Sequence, residues 1–332
     1  MKLLRDLPEI ENQKVLLRVD FDIPVKNGQV LDETRIKAAL PSIQFLLEKE
    51  ARLILLAHLD RPKGVDKKFS LRPLVDLLER LLEQKVTFIE NLAANKVGQL
   101  NLFENLRFWP GEEANDENFS RSLAALGQFY VNDAFAASHR PHASIVGIPK
   151  LLPSFAGLKL EQEIKELSRV LENPKRPLVA IIGGAKIETK LPAINNLAKI
   201  ADKVLVGGRV MFEISQNDLA QNVIVAADHV ETRDIGPGAI KAFEGIIAGA
   251  SIIVWNGPMG VFEENKYESG TKAIAQAVAG SKAYSIVGGG DTIAALNKFG
   301  LLAKISYVST GGGAMLEFLG GKKLPGLEAL EG

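Results

Sequence analysis

Leu178-Val179-Ala180-Ile181-Ile182-Gly183-Gly184-Ala185-Lys186 is an unbroken apolar run that ends in two glycines and a lysine. A short continuous apolar run bounded by glycine reads as a strand of a parallel sheet covered on both faces. The same pattern recurs at residues 203–206 before Gly207-Gly208, 251–255 before Asn256-Gly257-Pro258, 284–287 before Gly288-Gly289-Gly290-Asp291-Thr292, and 305–308 shortly before Gly311-Gly312-Gly313. Residues 223–226 form a sixth run. Helical spacing at 237–247 and 269–279 supplies crossovers, so the second half is expected to be a parallel α/β unit. Ligands of such units sit at the carboxyl ends of strands, where these glycines lie.

Working back toward the N-terminus, apolar runs at 15–19, 53–57 and 129–131 alternate with helical periodicity at 35–48 and 71–82, again an α/β pattern. Residues 158–171 have helical spacing and precede Glu172-Asn173-Pro174, which reads as a connecting helix and a hinge. Ten of the fourteen arginines precede residue 150, whereas 23 of the 30 glycines follow residue 180. Arginine recognises carboxylate and phosphate bidentately, and glycine lets backbone N–H groups approach phosphate closely. An anionic substrate on the first half and a nucleotide on the second follow from that asymmetry.

The composition of the 332 residues excludes several classes. Forty Lys and Arg balance forty Asp and Glu, so the chain has no net attraction for nucleic acid or anionic membrane. It contains no cysteine and four histidines, which removes disulfides, thiol chemistry and most zinc sites. No apolar run approaches the ~18 residues of a membrane span, and the N-terminus lacks a signal-peptide core, so a soluble cytoplasmic protein is expected.

The glycine turns lack both GxxxxGK[ST] and GxGxxG, which removes the commonest mononucleotide and dinucleotide signatures. Residues 311–313 and 288–290 nevertheless precede helical stretches, and a helix N-terminus favours phosphate. Lys186 alone reads as a surface lysine; directly after a strand and two glycines it reads as a phosphate contact. Asp291 reads either as a helix N-cap or as a carboxylate for a Mg²⁺ that bridges nucleotide oxygens. In the first half, Arg18-Val19-Asp20-Phe21-Asp22 and His58-Leu59-Asp60-Arg61-Pro62 close strands, and Arg107 and Arg140 follow later ones. Arg35, Arg61, Arg107 and Arg140 are surface arginines taken singly; three of them just past strands suggest convergence on one cleft.

Taken in order, these motifs resemble phosphoglycerate kinase. The most specific pieces are Val131-Asn132-Asp133-Ala134-Phe135, Gly183 to Lys186, Trp255-Asn256-Gly257-Pro258-Met259-Gly260-Val261-Phe262-Glu263, residues 288–292 and residues 309–314. The resemblance implies two Rossmann-like parallel-sheet domains joined by a connecting helix and hinge. These are a phosphoglycerate-binding domain at 1–157, the connection at 158–174, a Mg-nucleotide-binding domain at 175–320, and a tail at 321–332 returning to the first domain. By resemblance Asp20, Asp22, Arg35, His58, Arg61, Arg107 and Arg140 bind phosphoglycerate. Lys186, Lys190, Asn256, Glu263, Gly289, Gly290, Asp291 and Thr292 bind ATP or ADP, with Asp291 as the Mg²⁺ ligand. Arg35, Lys186, Gly312 and Gly313 would stabilise the phosphoryl group in transfer once the domains close.

The implied reaction is the glycolytic exchange of 1,3-bisphosphoglycerate plus ADP with 3-phosphoglycerate plus ATP, in a monomer with small-molecule partners and no nucleic-acid or membrane partner. Its acceptor is a carboxylate, ionised at neutral pH, so no general base is required. The chain departs from the family's usual pattern at Asp22, where asparagine is usual, and at Asp60 and Arg209, where glycine is usual. Several tens of residues are missing after Arg209, and Glu231-Thr232-Arg233 stands where apolar or small residues flank adenine. These departures leave open a catalytically impaired relative that binds ligand in a regulatory role. A nicotinamide dehydrogenase on a Rossmann fold lacks its glycine signature.

Overall fold

A computed structural model describes residues 1–26, 28–92, 98–215 and 219–331. Gly332, the last residue of the expected tail, and residues 216–218, next to the expected contraction, lie outside the described residues. The chain forms two compact units, residues 1–163 with 324–332, and residues 164–323. Each contains a six-stranded sheet in which every pairing is parallel.

The first unit holds β1 (Lys14–Arg18), β2 (Arg52–Leu56), β3 (Val86–Ile89), β4 (Leu100–Phe103), β5 (Phe129–Asn132) and β6 (Ser154–Ala156), ordered β3-β4-β2-β1-β5-β6. Helices α1 (Thr34–Glu48), α2 (Leu74–Leu82) and α3 (Glu117–Ala124) belong to it. The strand order reverses at β1, between β2 and β5. Arg18 lies level with both Leu56 and Asn132, so the loops that follow β1, β2 and β5 leave one sheet edge side by side.

Strands β3, β4 and β6 were not legible as apolar runs. They are three or four residues long, and β4 carries the fully buried Asn101, whose amide donates to the carbonyls of Leu53 and Gly98. Helix α2 starts at Leu74 because a proline disfavours helical backbone in the residue before it, here Arg72.

Helix α4 (Leu158–Leu171) begins in the first unit, and the division between the units falls after Glu163, inside it. Its first turn is capped from a distance: Asp133 Oδ1 accepts the amides of Lys159 at 2.8 Å and Leu160 at 3.1 Å. A Cβ at Gly157 would fall 2.2 Å from that oxygen, so glycine is required there. Residues from Leu324 onward group with the first unit, where the Gly326 amide donates to Ser138 O at 2.8 Å.

The second unit holds β7 (Leu178–Ile182), β8 (Lys203–Val206), β9 (Val223–Val225), β10 (Ile252–Asn256), β11 (Tyr284–Gly288) and β12 (Tyr307–Ser309), ordered β9-β8-β7-β10-β11-β12. With β7 taken as first, this is the doubly wound 3-2-1-4-5-6 order. Strands β7 and β10 are buried at every residue, the reason they read as uninterrupted apolar runs. Helices α5 (Ile187–Ile200), α6 (Pro237–Ala248), α7 (Ser269–Gly280), α8 (Gly290–Lys298) and α9 (Gly312–Leu319) complete the unit. Among the described residues no helix is long and apolar enough to cross a membrane.

Candidate active site

In the first unit the strand ends gather the arginines. Arg35, on the first turn of α1, reaches Asp20 beyond β1, with Nη1 at 3.1 Å from Oδ1. Asp20 is buried, and its Oδ2 has no hydrogen-bond partner. Burial pushes its pKa up and the Arg35 charge pulls it back. The loop after β2 carries His58, Asp60 and Arg61. His58 is buried, whereas Arg61 is exposed. Asp22 Oδ1 accepts the Asp60 amide at 2.8 Å, and its Oδ2 lies 3.8 Å from His58 Nε2.

Arg107, buried just past β4, donates from Nη1 to Asp60 O at 2.6 Å, and its Nε lies 3.1 Å from Glu113. Burial and the nearby Arg140 lower its pKa to about 10, which leaves it charged at neutral pH. Arg107 and Arg140 both repel a proton on His58 and on His142, so these four groups share one region. Burial and these cations take His142 down to about 3. The structure thus brings together Asp20 with Arg35, and Asp22, His58, Arg107 and Arg140; Arg61 is exposed on the loop after β2, with its backbone amide on Asp60 Oδ1 at 2.8 Å.

Arg18 went unrecognised as a site residue, although it opens the Arg18 to Asp22 motif. It is fully buried at the end of β1, and its place directly after the apolar Val15-Leu16-Leu17 was the only further signal. Glu112 and Ser144, buried behind it, had none.

In the second unit, Ile182, Val206, Asn256, Gly288 and Ser309 end their strands in one row. Their glycine turns therefore share an edge and pack on one another. A Cβ at Gly183 would lie 2.2 Å from Pro258 O, and one at Gly208 would lie 2.5 Å from Gly184 N. Gly184, Gly208, Gly257 and Gly289 also have positive φ, where other residues are strained.

Three helices, α5, α8 and α9, start at this edge without a side-chain cap. Their first-turn amides are the kind of donors that phosphate oxygens accept from. Asp291 stands exposed in the first turn of α8, one residue inside it, so it is not the N-cap; Gly289 holds that position. Lys186 is exposed at the N-cap position of α5. Lys190, one turn on, is buried and donates to Asn256 Oδ1 and, at 3.3 Å, to Asn256 O. Burial lowers its pKa to about 8 against the pull of Asp291. Thr292 Oγ1 accepts the Gly257 amide at 2.7 Å, which ties α8 to the β10 turn. Asn256 Nδ2 lies 3.5 Å from Gly312 O, Gly313 is exposed on the first turn of α9, and Glu263 is exposed beyond β10.

Beyond β8 this edge is polar. Arg209 pairs with Glu213 at 3.4 Å, and the half-exposed Phe212 meets His229 edge-on with centroids 5.1 Å apart. Glu231 and Thr232 form the tip of a short hairpin, both at positive φ. Glu231 bonds Lys266 and Tyr267, Arg233 bonds Glu264, and the Arg233 guanidinium lies 4.4 Å from the Tyr267 ring centroid.

The phosphoglycerate kinase family model matches residues 4–231 and 213–322. Curated phosphoglycerate kinases from Thermomicrobium roseum and Moorella thermoacetica are 41% and 43% identical to this chain, covering 99% and 98% of both partners. The first alignment spans 389 positions against 332 residues, so at least 57 positions lack a counterpart here. The family match breaks into two pieces that overlap at 213–231, just after Arg209, where the contraction was expected. Solved phosphoglycerate kinases from Coxiella burnetii and Pyrococcus horikoshii superpose with TM-scores of 0.85 and 0.87 at 38% and 30% identity, and cover 99% and 100% of this chain and 98% of theirs. Matched across both units by the family model and by full-length relatives, the chain belongs to the phosphoglycerate kinase family.

Proposed function

We propose that this kinase-family enzyme interconverts 1,3-bisphosphoglycerate plus ADP with 3-phosphoglycerate plus ATP, each unit holding one ligand. The single observation that carries the reading is that one chain holds an arginine-lined sheet edge in one unit and a glycine-lined edge with three uncapped helix starts in the other. Nothing in the comparisons favours the ligand-binding, regulatory alternative.

Asp20, Asp22, Arg35, His58, Arg61, Arg107 and Arg140 are proposed to hold phosphoglycerate. Asp20 orients Arg35, whose guanidinium offsets charge on the transferred phosphoryl group. The substrate carboxylate attacks without a base, since it is already ionised. On the other unit Lys186, Lys190, Asn256, Glu263, Gly289, Gly290 and Thr292 are proposed to hold the nucleotide, with Lys186, Gly312 and Gly313 nearest the transferred group.

Among the described residues no three acidic or histidine side chains cluster to hold a metal by themselves. The exposed Asp291 carboxylate fits a Mg²⁺ that arrives with the nucleotide, because Mg²⁺ takes one or two carboxylates plus phosphate oxygens. Bound there, the ion would neutralise phosphate charge. A cytoplasmic monomer is the proposed setting.

An assay coupling 1,3-bisphosphoglycerate formation to NADH oxidation tests the reading. MgATP-dependent turnover of 3-phosphoglycerate is expected. No turnover with any nucleoside triphosphate, despite thermal stabilisation by either ligand, would overturn it in favour of a binding protein.

A further inference from the structure

Arg18, at the end of β1, is fully buried, and every bond it makes has a determined direction. Its Nη2 lies 2.8 Å from His58 Nδ1. A guanidinium has donors only and is not deprotonated in proteins, so Nδ1 is the acceptor and cannot carry a proton. Behind it, Arg18 Nε donates to Ser144 Oγ at 2.9 Å. That hydroxyl spends its one proton on Glu112 Oε1 at 2.6 Å, while the Ser144 amide donates to Oε2 at 2.9 Å. Glu112 is wholly buried and accepts at both oxygens in these bonds, so it balances the guanidinium through the serine.

We infer that Arg18 is a positioning residue that fixes His58 as a neutral imidazole with its proton on Nε2, a permanent hydrogen-bond donor to the anionic substrate rather than an acid, a base or a titrating cation. This rests on the phosphoglycerate reading of the site. Nε2 faces Asp22 Oδ2 at 3.8 Å, too long for a hydrogen bond. The other charged or titratable groups acting on the ring are Arg107, His142 and Arg140, each of which opposes its protonation. Burial and Arg18 together place the His58 pKa well below its ordinary value. Substrate capture through His58 is therefore insensitive to pH where a free histidine would titrate.

Two-bond ¹H–¹⁵N correlation spectra of the full-length ¹⁵N-labelled protein test this, with His58 assigned by the loss of its signals in His58→Gln. One protonated nitrogen, Nε2, and one bare nitrogen, Nδ1, are expected at every pH from about 5.5 to about 8.5. A proton on Nδ1, or a titration within that range, overturns the inference. Addition of 3-phosphoglycerate should shift the Nε2–H signal. An unmoved signal overturns both the donor role and the substrate reading, whereas a wrong tautomer with a substrate-induced shift overturns the inference alone.

In Arg18→Met, where Nδ1 loses its donor, a proton should become detectable on Nδ1 in the same spectra and the KM for 3-phosphoglycerate should rise at least about tenfold, with the nucleotide KM unchanged. Arg18→Lys, which retains a cationic donor, should keep the proton on Nε2. An unchanged Nε2 tautomer and KM in Arg18→Met, with only thermal stability lowered, would reduce Arg18 to a structural role and overturn the inference. The wild-type spectrum decides the matter if that variant does not fold.

Discussion

The Asp22 carboxylate accepts the amide of Asp60 at 2.8 Å, and Asp60 itself adopts a left-handed backbone at φ 54°. Two acidic residues, at positions where the resemblance implies asparagine and glycine, are thus bonded to each other at the edge of the proposed phosphoglycerate site. Asp22 serves the loop as an acceptor, and its charge is incidental to that bond.

Asp22→Asn keeps the acceptor and removes the charge. At about 4 Å a carboxylate repels an anion by ~1 kcal/mol in water and ~4 kcal/mol at an effective dielectric of ~20, and Asp22 is 40% exposed, which favours the lower figure. The KM for 3-phosphoglycerate should fall about three- to tenfold. A KM that stays the same or rises shows that Arg107 already offsets the carboxylate.

Arg35 is paired with Asp20 by a 3.1 Å contact yet remains partly open, with 29% of its side chain exposed. Its placement suits charge that develops in transfer, so Arg35→Ala should lower kcat by about a hundredfold or more while either KM moves less than about threefold. The same change strips Asp20 of the charge that opposes its burial, so active protein should be counted by ligand titration. An unchanged kcat with a raised KM would confine Arg35 to ground-state binding.

Lys190 carries a pH signature. Its pKa falls from the ordinary 10.5 to about 8 on folding. Between these values the unfolded chain holds a proton that the folded chain has released, so stability rises with pH across that window. Below about 8 the buried ammonium weighs against folding in full. An anionic nucleotide should draw the proton back, so MgADP binding at pH ~8 should take up a fraction of a proton. Calorimetry in two buffers of different ionisation enthalpy should give different binding heats, and Lys190→Met should abolish the difference. Equal heats in the unaltered protein would show that Lys190 does not sense the nucleotide.

Strand β7 and its glycine turn were legible because that strand is buried on both faces and apolar at every position, and the turns after β8, β10, β11 and β12 were legible because mostly buried, largely apolar runs precede them. The common level of their ends was not, since strand register is a property of the paired sheet rather than of any one strand. Arg18 shows the second limit. Its motif suggested a site, but its role depends on Ser144 and Glu112, which reach it only through the fold, and on burial, which composition does not reveal. Asp133 similarly read as part of a motif, whereas its contact with the start of α4 came only with the structure.

The nucleotide base is where the chain should differ most from its relatives. Discrimination among nucleotides requires apolar walls and close contacts on the base, because phosphate, metal and ribose contacts are common to all of them. Past Gly208 the described residues offer the Arg209–Glu213 pair, the half-exposed Phe212 against His229, and a hairpin tip held by the Glu231–Lys266 and Arg233–Glu264 pairs. Strand β9 is committed elsewhere: it pairs with β8, and Ile224 and Val225 pack on the unit's core. That commitment leaves Ile224 and Val225 only partly exposed, which argues against the short segment from Val223 rebuilding an apolar base wall. ADP and GDP should differ by less than about tenfold in kcat/KM, or ~1.4 kcal/mol. A hundredfold preference for ADP would show that the contracted wall still reads the base, and would direct attention to Phe212 and His229 as the surface that does so.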